Sequence, residues 1–176
     1  MKTPIIGISA VVIAVLLGGC ASDESAGEVT LAATKSTAQL QRNTISGQIS
    51  PDITASVTRV TDASESCGND ETRHMRLWRS TALIELVPES AGEITRIQQS
   101  ISGTFASKGW DSTSEAISKD TTLVTLTNPN SLAIIELTAV TNVDGIGMGA
   151  NLYINIAGPC VKTDGPGSAE LEQLGE

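Results

Sequence analysis

"SAGEITRIQQSISGTFASKGW", residues 90–110, decides the fold class. Ser90 and Glu93 are spaced as a capping box, in which each side chain satisfies the other's free backbone N–H at a helix start. Ile94, Ile97, Ile101 and Phe105 follow at steps of three, four and four, which places them on one helical face. Lys108 sets a cation near the negative end of the helix dipole, and Gly109 offers the left-handed residue on which helices stop. The spacing predicts a helix over about 91–107, and its apolar stripe needs a sheet or a second helix to cover it.

On either side of this helix the period changes to that of strands. Upstream, "RHMRLWRSTALIELVP" (residues 73–88) is rich in strand formers and stopped by Pro88. Met75, Leu77, Thr81, Leu83 and Val87 share one face, and Trp78, Ala82, Ile84 and Leu86 the other. Residues 82–87 are apolar on both faces, as a central strand requires. Before it, "ITASVTRV" (53–60) alternates imperfectly and predicts a short or edge strand. Downstream, residues 112–118, 121–127, 131–140 and 148–157 are strand candidates. They are separated by Lys119-Asp120, "NPN" (128–130) and "NVDGIG" (142–147), turns short enough to make antiparallel neighbours.

Residues 29–47 contain no proline and place Leu31, Ala38 and Ile45 seven apart with Leu40 nearby, which predicts an N-terminal helix ended by Pro51. The expected fold is α+β: an antiparallel sheet of about five strands, one well-capped helix packed on a face, and the preceding N-terminal helix. It forms a single domain over 29–161, and "KTDGPGSAELEQLGE" (162–176) is expected to be a disordered acidic tail.

The N-terminus reads differently. Lys2 precedes an apolar run from Pro4 to Leu17 that falls short of the roughly 20 residues of a bilayer span. "LGGC" (Leu17 to Cys20) matches the lipobox of bacterial lipoproteins. By that resemblance residues 1–19 are a lipoprotein signal peptide, cleavage falls between Gly19 and Cys20, and Cys20 receives a diacylglyceryl thioether. The alternative is that residues 4–19 stay as an anchor and Cys20 is an ordinary thiol. Each buried methylene contributes about 0.8 kcal/mol, so one acyl chain holds reversibly and two or three hold durably. Residues 20–28 form the lipidated tether, and "ASDESAGE" (21–28) reaches about 28 Å at most.

Twenty acidic residues face 11 basic ones, for a net charge of −9. That balance disfavours nucleic acid as a partner and repels anionic headgroups, so membrane contact is expected through the acyl chains on Cys20. Cys67 and Cys160 lie in the part that would be exported, where one disulfide can form and contribute about 4–5 kcal/mol of loop entropy. Two buried free thiols, or a metal site drawing on His74, are the alternatives; a lone histidine without close cysteine spacing argues against zinc. No metal and no cofactor are expected.

The chain contains no G-x-S-x-G, S-x-x-K or H-E-x-x-H, so no catalytic residue is assigned and an enzyme is not expected. "TNVDG" sets Asn142, Asp144 and Gly145 at positions three, five and six of a calcium loop, but Val140 and Asn151 would fill positions one and twelve, and a hairpin turn fits better. Arg73 and Arg79 point to one side of a strand, His74 and Arg76 to the other, so no face collects them. Pairing with carboxylates accounts for them, and Arg76 stays a candidate contact for an anionic ligand at the strand end. With only Phe105 and Tyr153 as further aromatics, Trp78 and Trp110 read as core, Trp110 folding back over Phe105, and platforms for a sugar or wall polymer are the alternative that keeps them as candidate contacts.

The lipobox, the helix leading to Ile49-Ser50-Pro51, Cys67-Gly68, the strand around Trp78, "KGW" at 108–110 and "GPC" at 158–160 together resemble small surface lipoproteins of actinobacteria, loosely of the LppA-like type. The resemblance spans most of the chain. It implies an exported, acylated protein of a kind mostly without assigned activity. The expected function is that of a monomeric, non-catalytic binding or interaction module, lipid-anchored on the outer face of the cytoplasmic membrane. Its expected partner is an envelope protein or wall polymer. The alternative is a carrier holding a small apolar ligand in a helix–sheet cavity.

Overall fold

Thr30 opens the first helix, α1 (Leu31–Ser46), its hydroxyl accepting from the Ala33 N–H, and Leu31, Thr34, Ala38 and Ile45 turn inward. The computed structural model to which this helix belongs describes residues 29–68, 73–141 and 149–175, without the side chains of Arg59 and Val60. Gly19, Cys20, the tether and the 142–147 turn lie outside the described residues. Leu40 does not join the α1 stripe: it is 66% exposed. It follows Leu31 by nine positions, half a turn around the helix at 3.6 residues per turn.

A 3-10 turn at Pro51–Ile53 leads into β1 (Thr54–Ser66), which pairs antiparallel with β2 (Met75–Leu86). β1 runs past the predicted 53–60. Register shifts between Thr54 and Ser56 and between Thr58 and Thr61 break its alternation, which is why the sequence pattern looked imperfect. In β2, Trp78, Ser80, Ala82, Ile84 and Leu86 form the buried face.

The segment after β2 turns helical earlier than its capping pattern predicts. Pro88 begins a 3-10 stretch (Pro88–Glu93), and α2 (Ile94–Ala106) continues it. Proline is preset for the first helical position, so Ser90 falls inside the turn, its N–H bonded to the Val87 carbonyl at 2.9 Å. Glu93 sits at the N-cap with no side-chain cap bond and pairs instead with Arg96. The predicted capping box is therefore not formed. The stop is formed: Gly109 has φ +83°, and the Trp110 N–H reaches back to the Phe105 carbonyl at 3.2 Å.

β3 (Asp111–Ser118), β4 (Thr121–Thr127), β5 (Ile134–Val140) and β6 (Asn151–Ala157) follow as antiparallel neighbours. α2 carries the chain to the far edge, and β6 returns to pair with β2, giving the order β1-β2-β6-β5-β4-β3. β7 (Val161–Lys162) pairs with the start of β2, so the sheet has seven strands among the described residues where about five were expected. Two residues are too short to display a period.

Residues 162–175 are not a disordered tail. After β7 the chain forms α3 (Ala169–Gln173), capped by Ser168, and buries Leu171 to 4% exposure. An acidic composition concealed the two leucines, 171 and 174, that close over α1, where Lys35 Nζ donates to the Leu174 carbonyl at 2.8 Å.

Among the described residues, helices cover one face of the sheet only. Val124, Leu126, Ile135, Leu137, Leu152, Ile154 and Ile156 point to that face with Ala82 and Ile84, and form the core beneath α1 and α2. Gln98 of α2 is 1% exposed and fully bonded: its amide donates to the carbonyls of Leu137 (2.6 Å) and Thr122 (3.1 Å) and its oxygen accepts from the Thr122 hydroxyl (2.8 Å). A Cβ at Gly158 would lie 2.9 Å from Thr34 Cβ, so this glycine lets α1 lie close to the end of β6.

Candidate functional site: the uncovered sheet face

The register places Tyr153 and Asn155 of β6, Ile134 and Glu136 of β5, and Leu77, Arg79 and Leu83 of β2 on the side away from the helices. Tyr153 is 41% exposed and Ile134 39%. A chain of hydrogen bonds crosses four strands: Arg79 Nε donates to Glu65 (2.7 Å), Arg79 Nη1 to Asn155 Oδ1 (2.8 Å), and Asn155 Nδ2 to Glu136 (2.7 Å). Its members fix one another's rotamers, so the surface is held in one shape.

On either side of the Arg79–Asn155 bond lies a shallow hollow. One, of about 210 Å³, is lined by Leu77, Ile134 and Ala157; the other, of about 190 Å³, by Leu83, Thr81 and Tyr153. Among the described side chains this face carries Glu65, Glu85, Glu136, Asp111 and Glu115 against Arg79 and, opposite Met75, Lys162. Its outer strand β3 is exposed along its whole length, including Ile117 at 55%. An unpaired strand edge beside an apolar, acidic face can take a partner by surface contact or by added strand.

The residues predicted as contacts lie elsewhere. Trp78 is 1% exposed on the helix side of β2, with Lys35 Nζ 4.5 Å from the ring centroid. Trp110 is 8% exposed and meets Phe105 edge-on at 5.2 Å. Both tryptophans belong to the core, and neither is a platform. Arg76 turns its guanidinium onto Ser64, Nε to the hydroxyl at 2.8 Å and Nη2 to the carbonyl at 3.0 Å. Cys67 and Cys160 are bonded, with Cα atoms 6.0 Å apart, and tie the end of β1 to the corner between β6 and β7. Tyr153 was missed although its signal was present: in "NLYINIA" it alternates with Leu152 and Ile154, which reads as an aromatic on the outward face.

On the opposite side of the sheet, Arg42 of α1 reaches Asp62 of β1 and the Ser80 hydroxyl (2.9 Å). Trp78 Nε1 and Asp62 Oδ1 are both buried without a hydrogen-bond partner of good geometry. Burial works against the Asp62 charge, but hydrogen bonds from Ser80 and Arg42, the Arg42 charge and the nearby indole N–H outweigh it and hold the carboxyl below its ordinary 3.8. A depressed carboxyl contributes stability above the unfolded value and loses it as pH falls through the folded one. Asp62→Asn is therefore expected to show its full deficit in denaturant midpoint near neutral pH, and a deficit that fades as pH drops below 3.8.

A cavity of about 70 Å³ lies between α1 and the sheet, lined by Val29, Ala38, Ala133 and Ile156 among others. Small-molecule sites span about 300–1,000 Å³. A half-polar trough of about 460 Å³ runs between Ile49 and Ile53 after α1 and Ile97 and Ile101 of α2. Among the described residues no three His, Cys, Asp or Glu side chains gather as a metal site needs, and no helix is long and apolar enough to cross a membrane. No family model, no curated protein and no solved structure matches the chain.

Proposed function

We propose that the protein is a membrane-anchored extracytoplasmic lipoprotein that serves as a non-catalytic interaction module of the cell envelope, taking an envelope protein or wall polymer on the uncovered face of its sheet. The observation that carries this reading is the one-sided packing: the described helices lie on one side, while the other presents Tyr153, Ile134 and two hollows around a fixed polar chain. The lipobox at Leu17 to Cys20 and a bridged cysteine pair support a location outside the cytoplasm.

The test is a photoreactive residue placed at Tyr153 and, as a control, at the more exposed Leu40 on α1, in protein displayed on cell membranes. One recurring adduct from position 153 and none from position 40 is expected, and adding Ile134→Ser should abolish it. Adducts of equal yield from both positions, or none from 153, contradict the reading.

A further inference from the structure

Leu132 is 67% exposed and sits at φ +59°, one of two left-handed residues other than glycine among those described. A leucine in that conformation carries backbone strain. The turn that imposes it is tightly bonded. Asn128 Oδ1 accepts from the N–H groups of Asn130 (2.9 Å) and Ser131 (3.1 Å), the Asn128 carbonyl accepts from Leu132 N–H (2.9 Å), and Asn128 N–H donates to Ala133 (2.9 Å). The result is a rigid tip with a leucine held toward solvent.

The position of that tip gives it meaning. Val29, the first described residue and 52% exposed, shares a crevice with Ser131, Ala133 and Pro159. The tether thus leaves the domain beside this turn. "NPNSLAI" (128–134) carries no charge in a chain of net charge −9. On its other flank Val29 borders Lys162, Asp164 and Glu170, a group with excess negative charge that disfavours an anionic surface. Cys20 precedes Val29 by nine residues, about 32 Å of fully extended chain at most, and the turn sits beside Val29 whereas the far end of the 16-residue α1 stands about 24 Å from it.

We infer that the Asn128–Leu132 turn is the face the domain sets against a neutral lipid surface, with Leu132 entering the headgroup layer. This rests on the anchoring proposed above. It fixes which way the domain stands: the turn lies down, and the sheet face stands beside the membrane, open to partners.

The experiment uses full-length protein extracted from host membranes and reconstituted into phosphatidylcholine vesicles containing brominated chains. Leu132→Trp and Leu40→Trp are compared, two leucines of matched exposure, against the unsubstituted chain as background. Several-fold stronger quenching of the added emission at 132 than at 40 is expected. Equal quenching, or none at 132, overturns the inference. If Leu132→Trp does not fold, Ser131→Trp carries the same comparison. Either the lipid on Cys20 or an uncleaved segment 4–19 holds the chain on the vesicle, so the comparison runs in both cases. The intact mass of the same sample reports the lipid on Cys20 separately.

Discussion

Trp78→Ala is expected to lower the unfolding free energy by about 3–5 kcal/mol. The ring is 1% exposed, stands opposite Ser64 of β1, and is covered by the Lys35 ammonium at 4.5 Å. Its carbonyl also accepts from Gly158 N–H at 2.9 Å, which ties the β2 backbone to the chain leaving β6. Truncation leaves a void that the surrounding strands cannot close without shifting α1. Equilibrium urea unfolding measures the loss, and Trp78→Phe should recover a large part of it. If Trp78→Ala instead kept wild-type stability and lost only partner binding, the ring would be a contact surface and its placement here would be wrong.

The second large effect comes from the bridge. Cys67 and Cys160 are 93 positions apart, and closing a loop of that length removes about 4–5 kcal/mol of unfolded-state entropy; removal of native disulfides from small secreted domains costs 2–5 kcal/mol. The double variant Cys67→Ser/Cys160→Ser is expected to fall in that range. The loss should also be uneven. β7 and α3 hold through Val161, Leu171 and the two hydrogen bonds from Thr163 to the His74 carbonyl, at 2.7 and 3.0 Å. Hydrogen exchange should therefore rise in residues 161–175 before it rises in β4, β5 and β6. Uniform acceleration across the sheet would show that the bridge does not act locally.

The parts of this fold that could be read from the sequence are those where one period runs undisturbed. The α2 stripe, the β4 and β5 alternations and the glycine stop at 109 are of this kind. Where two signals competed, the reading failed. Pro88 moved the helix start ahead of the Ser90–Glu93 pair, and two register shifts hid the true length of β1. Gln98 lies among isoleucines at helical spacing, and its burial is invisible in that pattern because it depends on carbonyls of β4 and β5 that only the fold brings beneath α2. The order of the sheet was not legible at all, because the insertion of β6 between β2 and β5 follows from where α2 sets the chain down.

The candidate face was legible only in part. Strand alternation assigns each residue to a face, but which face the helices cover depends on packing of α1 and α2 together. Both tryptophans are in the core, as the scarcity of other aromatics predicts, and the alternative of a contact platform does not hold. Tyr153, the smaller signal, is the aromatic left outside.

Attachment through Cys20 underlies the whole functional account, since an acidic domain with an uncovered sheet becomes an envelope component only when held there. Intact mass of the protein extracted from membranes tests this most directly. The account predicts a chain that begins at Cys20, carries the added mass of a diacylglyceryl group with or without a further acyl chain, and gains two hydrogens on reduction. A chain that begins at Met1, bears no lipid and partitions into the soluble fraction would contradict it.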